Sequence, residues 1–169
     1  MASQPSQGSS SLETEYKPKS QYGSNFLGME LAGRGIAYSL NYDRAVNSKI
    51  SLGGGLTYYQ ANIIGIRVDL ALVPLYANYY FTSGATHRAF LTGGATILYA
   101  KAEMSLDNLS SSGDLIGSHA KAEGTGVYPN AGIGYEFRSR SGFTARVTAY
   151  GQYIYELLPW GGVTAGINF

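Results

Sequence analysis

Along this chain, apolar side chains recur at every second position in short runs, and the positions between them hold small or polar residues. The last run is the cleanest. Val163, Ala165, Ile167 and Phe169 fall on one face, and Gly162, Thr164, Gly166 and Asn168 on the other. A period of two marks a β-strand with one apolar side. The polar side of this strand carries no Lys or Glu, which suits a small, enclosed space better than bulk water. The same alternation predicts strands over residues 25–33, 36–43, 49–59, 67–81, 87–102, 126–138 and 142–153, and the closing run begins at Trp160. The fourth strand is apolar on both faces, so alternation leaves its facing open, and Pro74 within it predicts a bulge.

The connections differ in length by rim. Residues 44–48, 82–86 and 139–141 are short turns, whereas 60–65, 103–125 and 154–159 are longer; the tight turn at Gly33-Arg34-Gly35 is the exception. Short turns at one rim and long loops at the other are the pattern of up-and-down barrels in membranes. The expectation is an all-β, eight-stranded antiparallel up-and-down transmembrane β-barrel over residues 25–169, with both termini at the short-turn rim. Residues 1–24, rich in Ser, Gln, Gly and Pro, read as a flexible polar segment. Residues 1–11 lack the basic start and apolar core of a leader, so the sequence reads as a mature form.

Composition decides between two kinds of barrel. A soluble lipocalin-type barrel needs Lys and Glu on its polar face. Here charged residues are 14% of the chain, against roughly 25% in ordinary soluble domains. The 23 glycines and 15 tyrosines suit a closely packed wall ringed by aromatic residues at the membrane interfaces. Tyr42, Phe137, Phe143 and Phe169 are expected in one such belt, and Tyr58, Tyr99, Tyr153 and Trp160 in the other. Residues 70–86 carry no charge, but with Pro74 and Asn78 they are a poor membrane helix. The net charge of +1 and the absence of any basic cluster argue against a nucleic-acid partner, and with no cysteine there is no disulfide or thiolate site.

A C-terminal strand with an apolar face and a terminal Phe169 resembles the assembly signal of bacterial outer-membrane barrels, which implies recognition by the barrel-assembly machinery. Residues 25–169 as a whole resemble the small eight-stranded barrels of the outer-membrane-protein-A and X type. That resemblance implies a bacterial outer membrane, contact with its lipids and lipopolysaccharide, and a monomer. It is one of architecture, and it carries over no functional residue.

Candidate chemistry lies in two places. The inward set is Glu30, Asn41, Asp43, Arg67, Asp69, Asn130, Glu136, Arg138, Arg146 and Gln152. Eight strands enclose a space that side chains can just fill. Glu30, Asn41, Asn130, Glu136 and Arg146 are therefore expected to form a luminal polar network, with Glu30 and Arg146 as an ion pair. The sharper alternative is a narrow gated path for ions or small solutes. Outside, Lys101 and Lys121 are expected near lipid phosphates at the base of the long loop, with Asp107, Asp114 and Glu123 near bridging cations. Catalysis is not expected. His87 sits beside a turn at one rim and His119 in the loop at the other, and Asp114, Ser118 and His119 share a flexible segment. Asp107, Asn108 and Asp114 lack the ligand spacing of a calcium loop, and Gly53-Gly54-Gly55 opens no helix, so no metal or cofactor is expected. The pattern points to a structural or surface-interaction protein acting through its outer loops. A narrow channel or ligand carrier is the second reading, and a lipid-modifying barrel enzyme the third.

Overall fold

The computed structural model describes residues 24–63, 66–82, 86–105, 119–153 and 155–169. Eight strands, β1 (Asn25–Ala32), β2 (Tyr38–Ala45), β3 (Ile50–Ile63), β4 (Ile66–Tyr80), β5 (His87–Ser105), β6 (His119–Arg138), β7 (Phe143–Tyr153) and β8 (Leu157–Asn168), pair in chain order. All pairs are antiparallel, and β1 meets β8 to close the barrel. Closure removes the sheet edges that would otherwise face lipid with unpaired backbone groups.

The wall follows the alternation. Leu27, Met29, Leu40, Leu52, Leu91, Ile133, Val147 and Val163 are exposed on the outside, while Glu30, Asn41, Thr57, Thr92, Glu136 and Thr148 are buried inside. On β4, Leu72, Pro74, Tyr76, Asn78 and Tyr80 face inward and Leu75, Ala77 and Tyr79 outward. Pro74 makes no bulge. Its ladder with β3 opens beside Gly55 and Leu56 and resumes in the same register at Thr57↔Leu72. A missing N–H removes a bond without inserting a residue.

Strand lengths are uneven. β1 and β2 have 8 residues each, whereas β5 has 19 and β6 has 20. Pairing of β2 with β3 stops at Leu40↔Leu56, and pairing of β6 with β7 stops at Asn130↔Gln152. The β5–β6 ladder continues to Ser105↔His119. The upper parts of β3–β6 therefore stand above the rest of the barrel as a four-stranded sheet. Residues 60–63, 103–105 and 119–125, expected in loops, are strand.

In that projecting sheet the two faces exchange character. The outward positions become Arg67, Asp69, Lys101, Glu103, Lys121 and Glu123, and the concave positions Val68, Leu70, Leu98, Ala100, Ala102, Ala122 and Gly124. The exchange falls at the row Tyr58–Ala71–Tyr99–Thr125. Tyr58 donates its hydroxyl hydrogen to Asp69 Oδ1 at 3.0 Å, and Tyr99 to Glu123 Oε2 at 3.4 Å. A ring in lipid with its hydroxyl in water is the usual placement of tyrosine at an interface, so this row marks the outer membrane boundary.

Trp160 does not join that belt. It pairs with Tyr150, which is buried in the lumen, so the two rings share the luminal face, and Trp160 sits there half-exposed above the end of β1. Trp160 is the only tryptophan of the chain. In vesicles its emission is expected to be quenched by an aqueous quencher and little affected by brominated acyl chains at any depth. Strong quenching by the acyl chains would place the ring on the lipid side.

Candidate functional site

The lower lumen is built around Glu136. Register sets Arg88, Glu136 and Arg146 side by side on β5, β6 and β7, and Arg138 lies two residues further along β6. Glu136 Oε1 accepts from Arg88 Nη2 and Arg138 Nε, both at 2.6 Å. Its Oε2 accepts from Arg146 Nε at 2.6 Å and from the Tyr80 hydroxyl at 2.9 Å. Arg146 also pairs with Asp43, which accepts from the Tyr76 hydroxyl. The Arg88 guanidinium stacks 3.6 Å above the Tyr80 ring and that of Arg146 4.1 Å above Phe26. Planar guanidinium groups suit such a site, since they give several donors while stacking on rings.

The upper lumen is closed by the turn that joins β1 to β2. Gly33–Gly35 form one 3-10 turn folded into the barrel, and all three residues are buried. The fold-in needs left-handed backbone at Gly33 (φ 71°) and also at Ala32 (φ 57°) and Ile36 (φ 70°), which are not glycine. Such a residue costs on the order of 1–3 kcal/mol. Arg34 offsets this cost. Its guanidinium lies between the rings of Tyr76 (3.8 Å) and Tyr150 (4.7 Å), 3.7 Å from Glu30 Oε1, and donates to Thr92 Oγ1. Glu30 also accepts from Tyr150 (2.7 Å), Ser39 (3.2 Å) and Asn41 (3.3 Å), and Gln152 holds the Gly33 carbonyl at 3.0 Å. A side chain at Gly162 would meet the Cα of Gly33, so β8 leaves room for the turn.

The expected Glu30–Arg146 pair is not formed. Thr164 separates them in one cross-strand row, and each has a nearer partner: Arg34 for Glu30, Glu136 and Asp43 for Arg146. Asn41 and Asn130 are buried in the lumen, where Asn130 donates to Thr96 at 3.3 Å. Arg67 and Asp69, expected inside, face outward, because β4 takes the register that buries Tyr76 and Tyr80. Arg34 and Arg88 belong to the lumen and were not expected there. Arg88 shares its parity with Phe90 and Thr92, which was a usable signal; the inward fold of Arg34 has none. Among the described residues, one luminal cavity of about 10 Å³ lies beside Arg34, Asn41 and Asn78, and another of about 10 Å³ beside Asp43, Arg88 and Arg138. Each has room for about one water. Among the described residues, the inward side chains are buried against one another.

Lys101 lies on β5, and Lys121, expected within the long loop, lies on β6. They belong to two rows of alternating charge, Arg67–Glu103–Lys121 and Asp69–Lys101–Glu123. Lys101 meets Glu103 at 2.6 Å and Lys121 meets Glu123 at 3.3 Å. Above the membrane boundary, the hydrogen bond from Lys101 holds the Glu103 carboxyl below the usual carboxylate range. Asp107 and Asp114 lie outside the described residues. At the opposite rim His87 contacts the Tyr135 hydroxyl and the Phe137 ring. Among the described residues, no three His, Asp or Glu side chains gather as a metal site.

One edge of the projecting sheet is open. On β6, Arg138 N–H points to Thr86 on the β5 side and Ser139 N–H to Phe143 on the β7 side. The register with β5 is unbroken, so even-numbered residues of β6 bond to β5 and odd-numbered ones face away from it. Above Asn130↔Gln152 no strand of the barrel receives the odd-numbered groups, so among the described residues the N–H and C=O groups of residues 121, 123, 125 and 127 have no strand partner. Pro129, at the foot of this edge, has no N–H to leave unpaired, as suits an edge strand. Residues 120–125 are exposed on both faces, and a side chain at Gly124 or Gly126 would meet nothing. The other edge, on β3, is partly covered: Tyr38 donates to the Tyr58 carbonyl, and the Tyr59 hydroxyl receives the N–H groups of Ala37 and Tyr38.

An apolar belt outside, a filled polar lumen and closure by β1 and β8 define a transmembrane β-barrel of the outer-membrane class. No family model and no curated protein matches the chain by sequence. By structure it is similar to the N-terminal β-barrel domain of Pseudomonas aeruginosa OprF, with a TM-score of 0.54 and 20% identity over 87% of this chain and 99% of that one. It is also similar to Ail, the attachment invasion locus protein of Yersinia pestis, with a TM-score of 0.51 and 14% identity over 88% and 99%. At these identities the likeness is one of fold. The chain has the eight-stranded fold of bacterial outer-membrane barrels.

Proposed function

We propose that this protein is a non-conducting, non-enzymatic barrel of a bacterial outer membrane that engages a partner through its projecting sheet by strand addition. The observation that carries the reading is the free edge of β6 at residues 121–127. An exposed edge is a template for another strand, and main-chain hydrogen bonds supply the affinity. The barrel supports this role in two ways. Its lumen is occupied by Arg34 and by the Glu136 network, and its tyrosine row fixes how far the sheet stands above the lipid. Lipid and lipopolysaccharide headgroups are the natural neighbours of Lys101 and Lys121 just above that row. Phe169, exposed at the end of β8 and bonded through its backbone to Asn25, is the natural mark for the assembly machinery.

Two measurements test the reading. In planar bilayers the protein is expected to give no conductance steps; regular steps would favour the channel reading. In nanodiscs, the amides of residues 121, 123, 125 and 127 are expected to exchange with solvent quickly while those of 120, 122, 124 and 126 are protected. Equal protection of both sets would mean that the edge is not free, and strand addition would fail.

A further inference from the structure

The partner can be read from the order of charges along the edge. We propose that the free edge of β6 pairs with the same edge of a second copy of this chain held in an apposed membrane; this rests on the strand-addition reading above. Two copies facing one another from separate membranes run their β6 strands in opposite directions. Antiparallel pairing about Ala122 then sets Lys121 opposite the partner's Glu123 and Glu123 opposite the partner's Lys121. The same register puts Ala120 opposite the partner's Gly124 and residue 119 opposite the partner's Thr125. Lys121, Glu123 and Thr125 are the residues whose backbone groups face the edge, so they fall at hydrogen-bonded positions in this register. Their side chains lie together on the charged outer face, where opposite charges directly across a ladder stabilise it.

The concave face agrees. Ala120, Ala122 and Gly124 are small, and the concave sides of the two sheets, with Ala100, Ala102 and Leu98 behind them, join into one apolar surface across the pair. Two copies in the same membrane are the wrong partners. Their β6 strands run parallel, and a twofold axis along the membrane normal turns the charged face of one sheet to the side of the partner's concave face, so no Lys121–Glu123 pair can form across the seam. The reach matches this register, because the strand from Thr125 at the membrane boundary to residue 119 spans about 20 Å at roughly 3.3 Å per residue, and this is the stretch that pairs. One such contact is small and weak alone, but many copies on two facing membranes act together.

The test uses the full chain in vesicles, with clustering read by light scattering. Wild-type vesicles are expected to cluster, while the protein in detergent stays monomeric. Lys121→Glu and Glu123→Lys should each lower the clustering rate roughly tenfold, because every attractive pair becomes a repulsive one. Vesicles bearing Lys121→Glu mixed with vesicles bearing Glu123→Lys should cluster again, as should the double charge-reversal variant alone. None of these substitutions touches the lumen or the lipid-facing wall, so all should refold. Clustering that is indifferent to the charge reversals, or a mixture that fails to recover, would overturn the self-pairing. If wild-type vesicles do not cluster while the odd-numbered amides of β6 exchange freely, strand addition stands and the second copy is the wrong partner. If those amides are protected, both fail together.

Discussion

Glu136→Gln is expected to cost about 3–5 kcal/mol of folding stability, the range for removing one partner of a buried ion pair. Glu136 is fully buried and receives hydrogen bonds from Arg88, Arg138, Arg146 and Tyr80. Without its charge, three guanidinium groups share the lower lumen with Asp43 as the one remaining carboxylate there among the described residues. The amide also turns one acceptor into a donor that points at donors. Surface pairs behave otherwise: Glu123→Gln breaks an exposed contact with Lys121 and is expected to cost less than about 1 kcal/mol. Urea titration of refolding in lipid vesicles measures both. If Glu136→Gln unfolds within about 1 kcal/mol of the wild type, the network fills the lumen without holding the barrel together.

Ile133→Arg should show where the lipid ends. Ile133 is exposed on the outer face of β6, in the row Leu91–Ile133–Ala149. Arg near the midplane of a barrel wall costs about 2–4 kcal/mol, and near an interface about 0–1. Thr125 lies on the same strand and face, in the tyrosine row at the membrane boundary. Thr125→Arg is therefore expected to be nearly neutral while Ile133→Arg destabilises the barrel. Equal costs in the same titration would mean that the boundary is misplaced and that residues 119–124 do not stand clear of the membrane.

The wall was legible because its chemistry repeats. Each crossing strand alternates, and from Ile133, Tyr135 and Phe137 against Gly134, Glu136 and Arg138 the facing can be written down at once. The projecting sheet was missed although it alternates too. Lys101-Ala102-Glu103 and Lys121-Ala122-Glu123 keep the period of two with polarity reversed, since the outward face has left lipid for water. Charged residues beside a polar stretch looked like loop. Strand β4 was ambiguous for a different reason: both of its faces are apolar, and only the need to bury Tyr76 and Tyr80 beside Asp43 and Glu136 chooses between them. The luminal pairs depended on register. Glu136 and Arg146 are directly opposed on β6 and β7, whereas Glu30 and Arg146 are separated by a whole strand. The inward turn left no trace in the sequence, because Gly33-Arg34-Gly35 satisfies an outward hairpin equally well.

The inward turn also sets an order of events during folding. Its anchors lie far along the chain: Tyr150 is 120 residues from Glu30, and Gln152 is 119 from Gly33. Until β7 arrives, half of the aromatic clamp on Arg34 is missing, and only Tyr76, Glu30 and Thr92 offset the left-handed backbone at Ala32 and Ile36. The first hairpin is therefore expected to form with its turn outside and to invert late, when β7 and β8 close the seam; protection of the Gly33–Gly35 amides that appears before the β1–β8 ladder forms would contradict this order. Contacts of such long sequence separation are slow to form, because the loop entropy is lost before the contacts repay it. A chain stalled before its last two strands would be an open trough with Glu30 lacking its Tyr150 bond and its polar lining against lipid. Completion then carries much of the reward in one step, so closure is expected to limit the rate of refolding in lipid vesicles.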